Sequence, residues 1–308
     1  AKKARNLGLI INLVTGLIIS LSLGLFTKEI LTFIGIATTL LPYASTYMKI
    51  IGSSCIITAI LPIFNIYLRS FGHTKEPMYA TIFANILNLI LNALFLFKLN
   101  MGVAGVAIAT VISKTVNLII VIIYSKKRIQ INTIANKTIS NKAIFKQIIK
   151  IGIPGAAETA LYNLSMTIIL MFLNQMDSEG INVTAKAYVD ILVNFSYCAG
   201  ISFASANCIL LGWNIGQKNY KKCYKDTSRA LKYGLIIALS LSTAIFIFAK
   251  PLLGLFTTNK EIIKLATTLL FIDIFLEIGR IANLVFAGAL KSSGDALYIV
   301  IIASIIML

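Results

Sequence analysis

The stretch "IDIFLEIGRIAN", residues 272–283, decides how this chain is read. It lies between "LATTLLF" (265–271) and "LVFAGAL" (284–290), so one apolar run extends over 265–290. A bilayer-spanning helix needs about 20 such residues. Inside the run stand Asp273, Glu277, Arg280 and Asn283. At the helical repeat these four fall within an arc of roughly 120°. Ionisable groups at membrane depth are costly and mark a working site.

The composition agrees with a membrane setting. Hydrophobic residues make up 58% of the chain and charged ones 13%, with mean hydropathy +0.88. A soluble domain carries about 25% charged residues. The net charge of +17 invites a nucleic-acid partner. That reading is rejected, because the basic residues sit in short loops between apolar spans and not on one folded face. Cys55, Cys198, Cys208 and Cys223 form no C-x-x-C and read as small buried hydrophobes. The lone His73 falls in a loop and is expected to be solvated, so no metal site is expected.

Reading between charges gives spans near 6–26, 43–68, 77–97, 101–125, 150–175, 184–216, 233–249, 266–290 and 296–308. The apolar segment 30–42 ends at Pro42 and reads as a connection. With the N-terminal "AKKAR" in the cytoplasm, 19 of the 28 basic residues fall in cytoplasmic loops and six in outer ones. That bias sets the orientation. The basic stretch 126–149 contains no acid and divides the chain into a first lobe, 1–125, and a second, 150–308. Contact of this stretch with anionic lipid and a solvated linker are both open readings.

Short matches recur in the same order. "GLFT" occurs at 24 and 254, and "ATTLL" at 37 and 266. "LRSFGH" at 68 resembles "LKSSGD" at 290, and "LGLII" at 7 resembles "YGLII" at 233. The offsets, 230, 229, 222 and 226, are nearly constant. The paired segments cross the membrane in the same direction, as in a parallel repeat. Completing the repeat requires two helices before residue 1, and the rest of one helix plus another after residue 308.

The chain resembles the multidrug and toxic compound extrusion (MATE) transporters. In the first half the likeness rests on "LRSFGHTKEPMY" (68–79), "ILNLILNALF" (86–95) and "GVAGVAIATVISK" (102–114). In the second it rests on "IGIPGAAE" (151–158), "NFSYCAGISFASA" (194–206), "GWNIGQ" (212–217) and "FLEIGRIANLVFAGALKSSGD" (275–295). The resemblance implies an all-α polytopic membrane protein of two six-helix lobes around a central cavity. This chain would then run from the third helix into the eleventh. It also implies antiport, with organic cations exported against inward H⁺ or Na⁺. No cofactor is expected beyond that ion, and the expected partners are small organic cations and membrane lipid around a monomer.

Several residues are candidates for that work. Asn85, Asn88 and Asn92 share one helix face and either line a cavity or bond between helices. Gly105, Ala109 and Ser113 form a small-residue packing seam. The second half places Glu158, Asp190, Asp273 and Glu277 at membrane depth against Arg280, an acidic excess of three, so cations are expected to be handled there. Glu158 is the first choice for proton carrier, because no basic residue is near it on its own helix. Glu277 and Arg280 are three residues apart and should pair. Their face is read as looking toward Glu158 and Asp190.

The sodium-coupled branch of the family carries a Glu about one turn after Glu158, where this chain has Tyr162. The family often has an amide where Asp190 stands, and Asn194 follows it by four residues. That branch also has an acid at the position of Arg280. These departures favour H⁺ over Na⁺, since a guanidinium opposes a second cation at short range. Tyr162, Asn194 and Asn283 are cavity candidates. A lipid-linked oligosaccharide flippase of the same superfamily is the alternative. The H-E-x-x-H, nucleophile-elbow and Asp-rich prenyl-transfer motifs are missing, so no enzyme activity is expected.

Overall fold

A computed structural model describes residues 2–34, 41–129, 140–176 and 180–307. All regular structure among the described residues is helical. The first half contains α1 (Lys2–Leu25), α2 (Thr27–Ile34), α3 (Leu41–Ser53), α4 (Cys55–Ser70), α5 (Lys75–Ala93), a π turn over Leu94–Lys98, and α6 (Gly102–Arg128). The second contains α7 (Asn141–Gln175), α8 (Ile181–Gly216), α9 (Tyr220–Ile247), α10 (Ala249–Gly254), α11 (Lys260–Ser293) and α12 (Ala296–Met307). The chain forms two compact units, Ala1–Lys146 and Gln147–Leu308.

Among the described residues six helices are long and apolar enough to cross a membrane, and the α3–α4 pair, bent by 43°, makes a seventh if taken as one span. α11 is 34 residues long and carries Asp273, Glu277 and Arg280 within its central apolar run. The segment 30–42 is more than a connection. α2 runs to Ile34, and Pro42 lies in the first turn of α3. A proline is tolerated there because first-turn N–H groups lack helical partners anyway. Residues 35–40 lie outside the described residues. The span expected over 43–68 breaks at Ser54, after Gly52 and Ser53, a sequence that weakens helical continuity.

In the first unit the expected small-residue seam is buried and extends further along α6. Gly105, Ala109, Ser113, Asn117, Val121 and Ser125 recur every four residues and are all buried. At its start, a Cβ on Gly105 would lie 2.8 Å from the Cβ of Phe95. His73 is not simply solvated: its Nδ1 lies 3.4 Å from Glu76 Oε1, an oxygen that Arg128 Nε also approaches at 3.1 Å. The basic stretch 126–149 therefore begins and ends as helix, and its first arginine is paired. Its residues 130–139 lie outside the described residues.

The internal repeat has a counterpart in backbone geometry. α4 ends with Gly72 at φ +84°, and α11 ends with Gly294 at φ +95°. His73 N donates to Leu68 O and Gly72 N to Arg69 O, each at 3.0 Å. At the later site Asp295 N donates to Leu290 O at 3.0 Å, and Gly294 N to Lys291 O at 3.1 Å. Both pairs are the 6→1 and 5→2 bonds of a helix stop that uses a left-handed glycine. "LRSFGH" and "LKSSGD" thus encode the same stop, 222 residues apart.

In the second unit α11 packs against α8 and α9 along one stripe: Ile262, Ala266, Leu270, Asp273, Glu277, Ile281 and Val285. Apolar clusters occupy both ends of the stripe. Leu270 joins Val189, Leu192 and Leu253, while Ile281 and Val285 join Ala204 and Ala238. Ile281 sits in a socket made by glycines. A Cβ on Gly200 of α8 would lie 2.1 Å from Ile281 Cδ1, and one on Gly234 of α9 would lie 3.3 Å from Ile281 Cγ2. Ile281 is one turn from Glu277, so this socket sets how deeply the two acids enter the seam.

Candidate functional site

The charged face of α11 divides in two. Asp273 and Glu277 point into the seam, where their residues are 5% and 0% exposed. Arg280 reaches back along the helix and binds both. Its Nη2 donates to Asp273 Oδ1 at 2.8 Å, and its Nη1 donates to Glu277 Oε2. One guanidinium therefore serves two carboxylates. The other oxygens, Asp273 Oδ2 and Glu277 Oε1, are buried without a hydrogen-bond partner. Ser196 of α8, fully buried, stands against Glu277 while its hydroxyl donates to Val193 O. By helix rise, Glu277 lies roughly 24 Å from the end of α11 at Ser293, so the group sits near mid-span.

The expectation that this face looks toward Asp190 holds for the arginine and not for the acids. Arg280 lines a cavity of about 390 Å³ together with Tyr162, Asn163, Thr167, Lys186 and Asp190. Lys186 Nζ donates to both Asp190 oxygens, at 2.5 and 2.6 Å. The cavity wall therefore carries one balanced pair and the outer side of Arg280.

Glu158 does not join that group. It lines a second cavity of about 490 Å³, with Asn283, Phe286, Leu290 and Tyr298. Lys291 Nζ lies 2.5 Å from Glu158 Oε2. This corrects the choice of Glu158 as a carboxylate free of basic neighbours. No such neighbour lies on its own helix, but α11 supplies one. The acidic excess is corrected with it. Lys186 and Lys291 each balance one acid, so an excess of three becomes one, and it resides in the Asp273–Arg280–Glu277 group.

The remaining candidates are scattered. Asn194 is exposed on α8, and Cys198 Sγ lies 3.9 Å from its Oδ1. On α5, Asn85 is exposed, while Asn92 Nδ2 donates to Asn88 Oδ1 at 3.0 Å. Two features escaped sequence reasoning. Asn214 Nδ2 donates to the buried Asp226 Oδ2 at 2.7 Å, and Asn207 Nδ2 donates to Thr227 Oγ1 at 3.3 Å, both tying α8 to α9. Asn207 and Asn214, seven residues apart and so on one face of α8, were the available signal.

A helical, multi-pass membrane protein with an internal repeat and a charged group buried at mid-span has the build of a membrane transporter. Residues 1–94 and 154–308 match the MatE family model, and the chain belongs to that family. It is 35% identical over 283 residues to the uncharacterized transporter YisQ of Bacillus subtilis, covering 90% of this chain and 62% of that protein. It is 25% identical to the multidrug export protein MepA of Staphylococcus aureus, covering 91% and 62%. With the probable multidrug resistance protein NorM of Thermotoga maritima it shares 27% identity, covering 82% and 55%. The chain thus spans less than two thirds of the length of these relatives. Its fold matches a solved outward-facing multidrug resistance MATE family transporter with TM-score 0.87 at 19% identity, over 98% of this chain and 67% of that one.

Proposed function

We propose that this protein exports organic cations by antiport, with H⁺ as the coupling ion. Family membership and the multidrug names of its relatives support the export reading. They do not favour the flippase alternative. The observation that carries the ion is the sharing of one guanidinium between two buried carboxylates, Asp273 and Glu277. Fully ionised, the group bears one net negative charge in a low-dielectric seam, which is costly. One proton removes that charge and gives an orphan oxygen a hydrogen to donate. A metal cation would have to approach Arg280 beside the same carboxylates, and Arg280 repels it. Proton uptake at the seam then changes the Arg280 face of the Tyr162–Asp190 cavity.

The test is export of a fluorescent organic cation by the full-length protein in vesicles, with pH and Na⁺ gradients imposed separately. A pH gradient should drive export, and Asp273→Asn and Glu277→Gln should each uncouple it. Export driven by Na⁺ alone and unchanged in both variants would overturn the assignment.

A further inference from the structure

A third cavity, of about 720 Å³, opens between the end of α8, the start of α9 and the last turns of α11. It shares Phe286 and Leu290 with the Glu158 cavity, but Asp273, Glu277 and Arg280 do not line it. Leu211, Ile215, Phe286 and Leu290 line its inner part, and Tyr220 and Tyr224 form its outer edge. Tyr220 and Tyr224 are 61% and 81% exposed. The adjoining chain is strongly basic: Lys218, Lys221, Lys222, Lys225, Arg229 and Lys232 fall within 15 residues. The acid among them, Asp226, is buried on Asn214 and also faces Arg229 at 3.9 Å. It offers little to oppose an anion at the rim.

Helix geometry joins the two features. Tyr220, Cys223, Tyr224 and Thr227 recur at three- and four-residue steps, so one face of α9 lines the groove. At the helical repeat Lys221 falls about 60° and Lys225 about 100° round the helix from Tyr224, so their long stems must reach back toward the groove's edge. Both are exposed. The basic-residue bias puts this end of α9 at the cytoplasmic surface. There an apolar slot and an aromatic edge lie on the same helix turns as exposed lysines.

We propose that this groove binds an anionic glycerophospholipid of the inner leaflet. Its acyl chain lies along Leu211, Ile215 and Phe286, and its phosphate meets Lys221 and Lys225 beside Tyr224. Amphipathic tyrosines suit the headgroup boundary, and juxtamembrane lysines attract anionic lipid. Because the slot touches both α9 and α11, a bound lipid would brace the helix that carries Asp273 and Glu277. The proposal does not depend on the coupling ion or the exported compound.

The experiment uses the full-length protein in detergent, offered phosphatidylglycerol or phosphatidylcholine with the same acyl chains, and read by native mass spectrometry. Phosphatidylglycerol should be retained preferentially. Lys221→Gln with Lys225→Gln should weaken that retention roughly tenfold, whereas the two Arg replacements should preserve it. Ala289→Trp, which fills the slot, should remove it. Peptide-resolved alkylation of Cys223, which lines the groove, gives a second reading. Phosphatidylglycerol should slow it, while phosphatidylcholine and inorganic phosphate should not. Equal retention of the two lipids, retention untouched by the Gln pair, or protection by inorganic phosphate would overturn the proposal. So would a Cys223 that is unreactive in every lipid.

Discussion

At the residue scale, Arg280 is the hinge of the charge arrangement. It satisfies Asp273 and Glu277 together. Removing one partner of a buried ion pair typically costs about 3–5 kcal/mol, because the other charge is stranded. Arg280→Ala should therefore lower the melting temperature of the purified full-length protein. Arg280→Lys should recover little, because a single ammonium lacks the planar fork that reaches two carboxylates. Equal stability of Arg280→Ala and the parent would show that the carboxylates are already neutral. This part of the site was legible in the sequence, since residues at i, i+4 and i+7 on one helix share a face. Lys186 and Asp190, at i and i+4 on α8, pair by an equally local spacing that the reading of the charges at membrane depth did not include. Glu158 and Lys291 were out of reach, because nothing in an amino-acid string tells which of many lysines a glutamate on another helix will meet.

At the element scale, the α8–α9–α11 seam positions the charges. Small residues allow close approach, and Ile281 fills the socket of Gly200 and Gly234. Gly200→Val should overpack that socket and destabilise by about 1–3 kcal/mol. Thermal denaturation measures it, and a Gly200→Val protein with the parent's melting temperature would mean that α8 and α11 are not packed this way. Adding Ile281→Ala should relieve part of the loss. Helix existence was readable from apolar length, and the helix stops from "FGH" and "SGD". The break at Ser54 and the helix before Pro42 were harder to read. The first depends on local Gly–Ser chemistry inside an apolar run. In the second, a proline opens a helix in one context and ends one in another.

At the scale of the whole second unit, charge balance decides which acid can carry a proton. Four acids at membrane depth had seemed opposed by Arg280 alone. With Lys186 on Asp190 and Lys291 on Glu158, the one uncompensated charge belongs to the Asp273–Glu277 group. Glu158 then acts as a tie between α7 and α11. Its side chain is 16% exposed and that of Lys291 34%, so the pair is partly screened. Breaking it should cost up to about 1 kcal/mol. Glu158→Gln should therefore lower stability slightly and leave pH-driven export coupled, unlike Asp273→Asn or Glu277→Gln. The reversed pair, Glu158→Lys with Lys291→Glu, should restore what either single reversal loses, because the attraction does not depend on which helix bears which sign. Export by the full-length protein in vesicles under a pH gradient, run beside a melting curve for each variant, separates the two roles. Uncoupled transport in a Glu158→Gln protein of normal stability would return the proton to Glu158 and leave Asp273 and Glu277 as a structural pair.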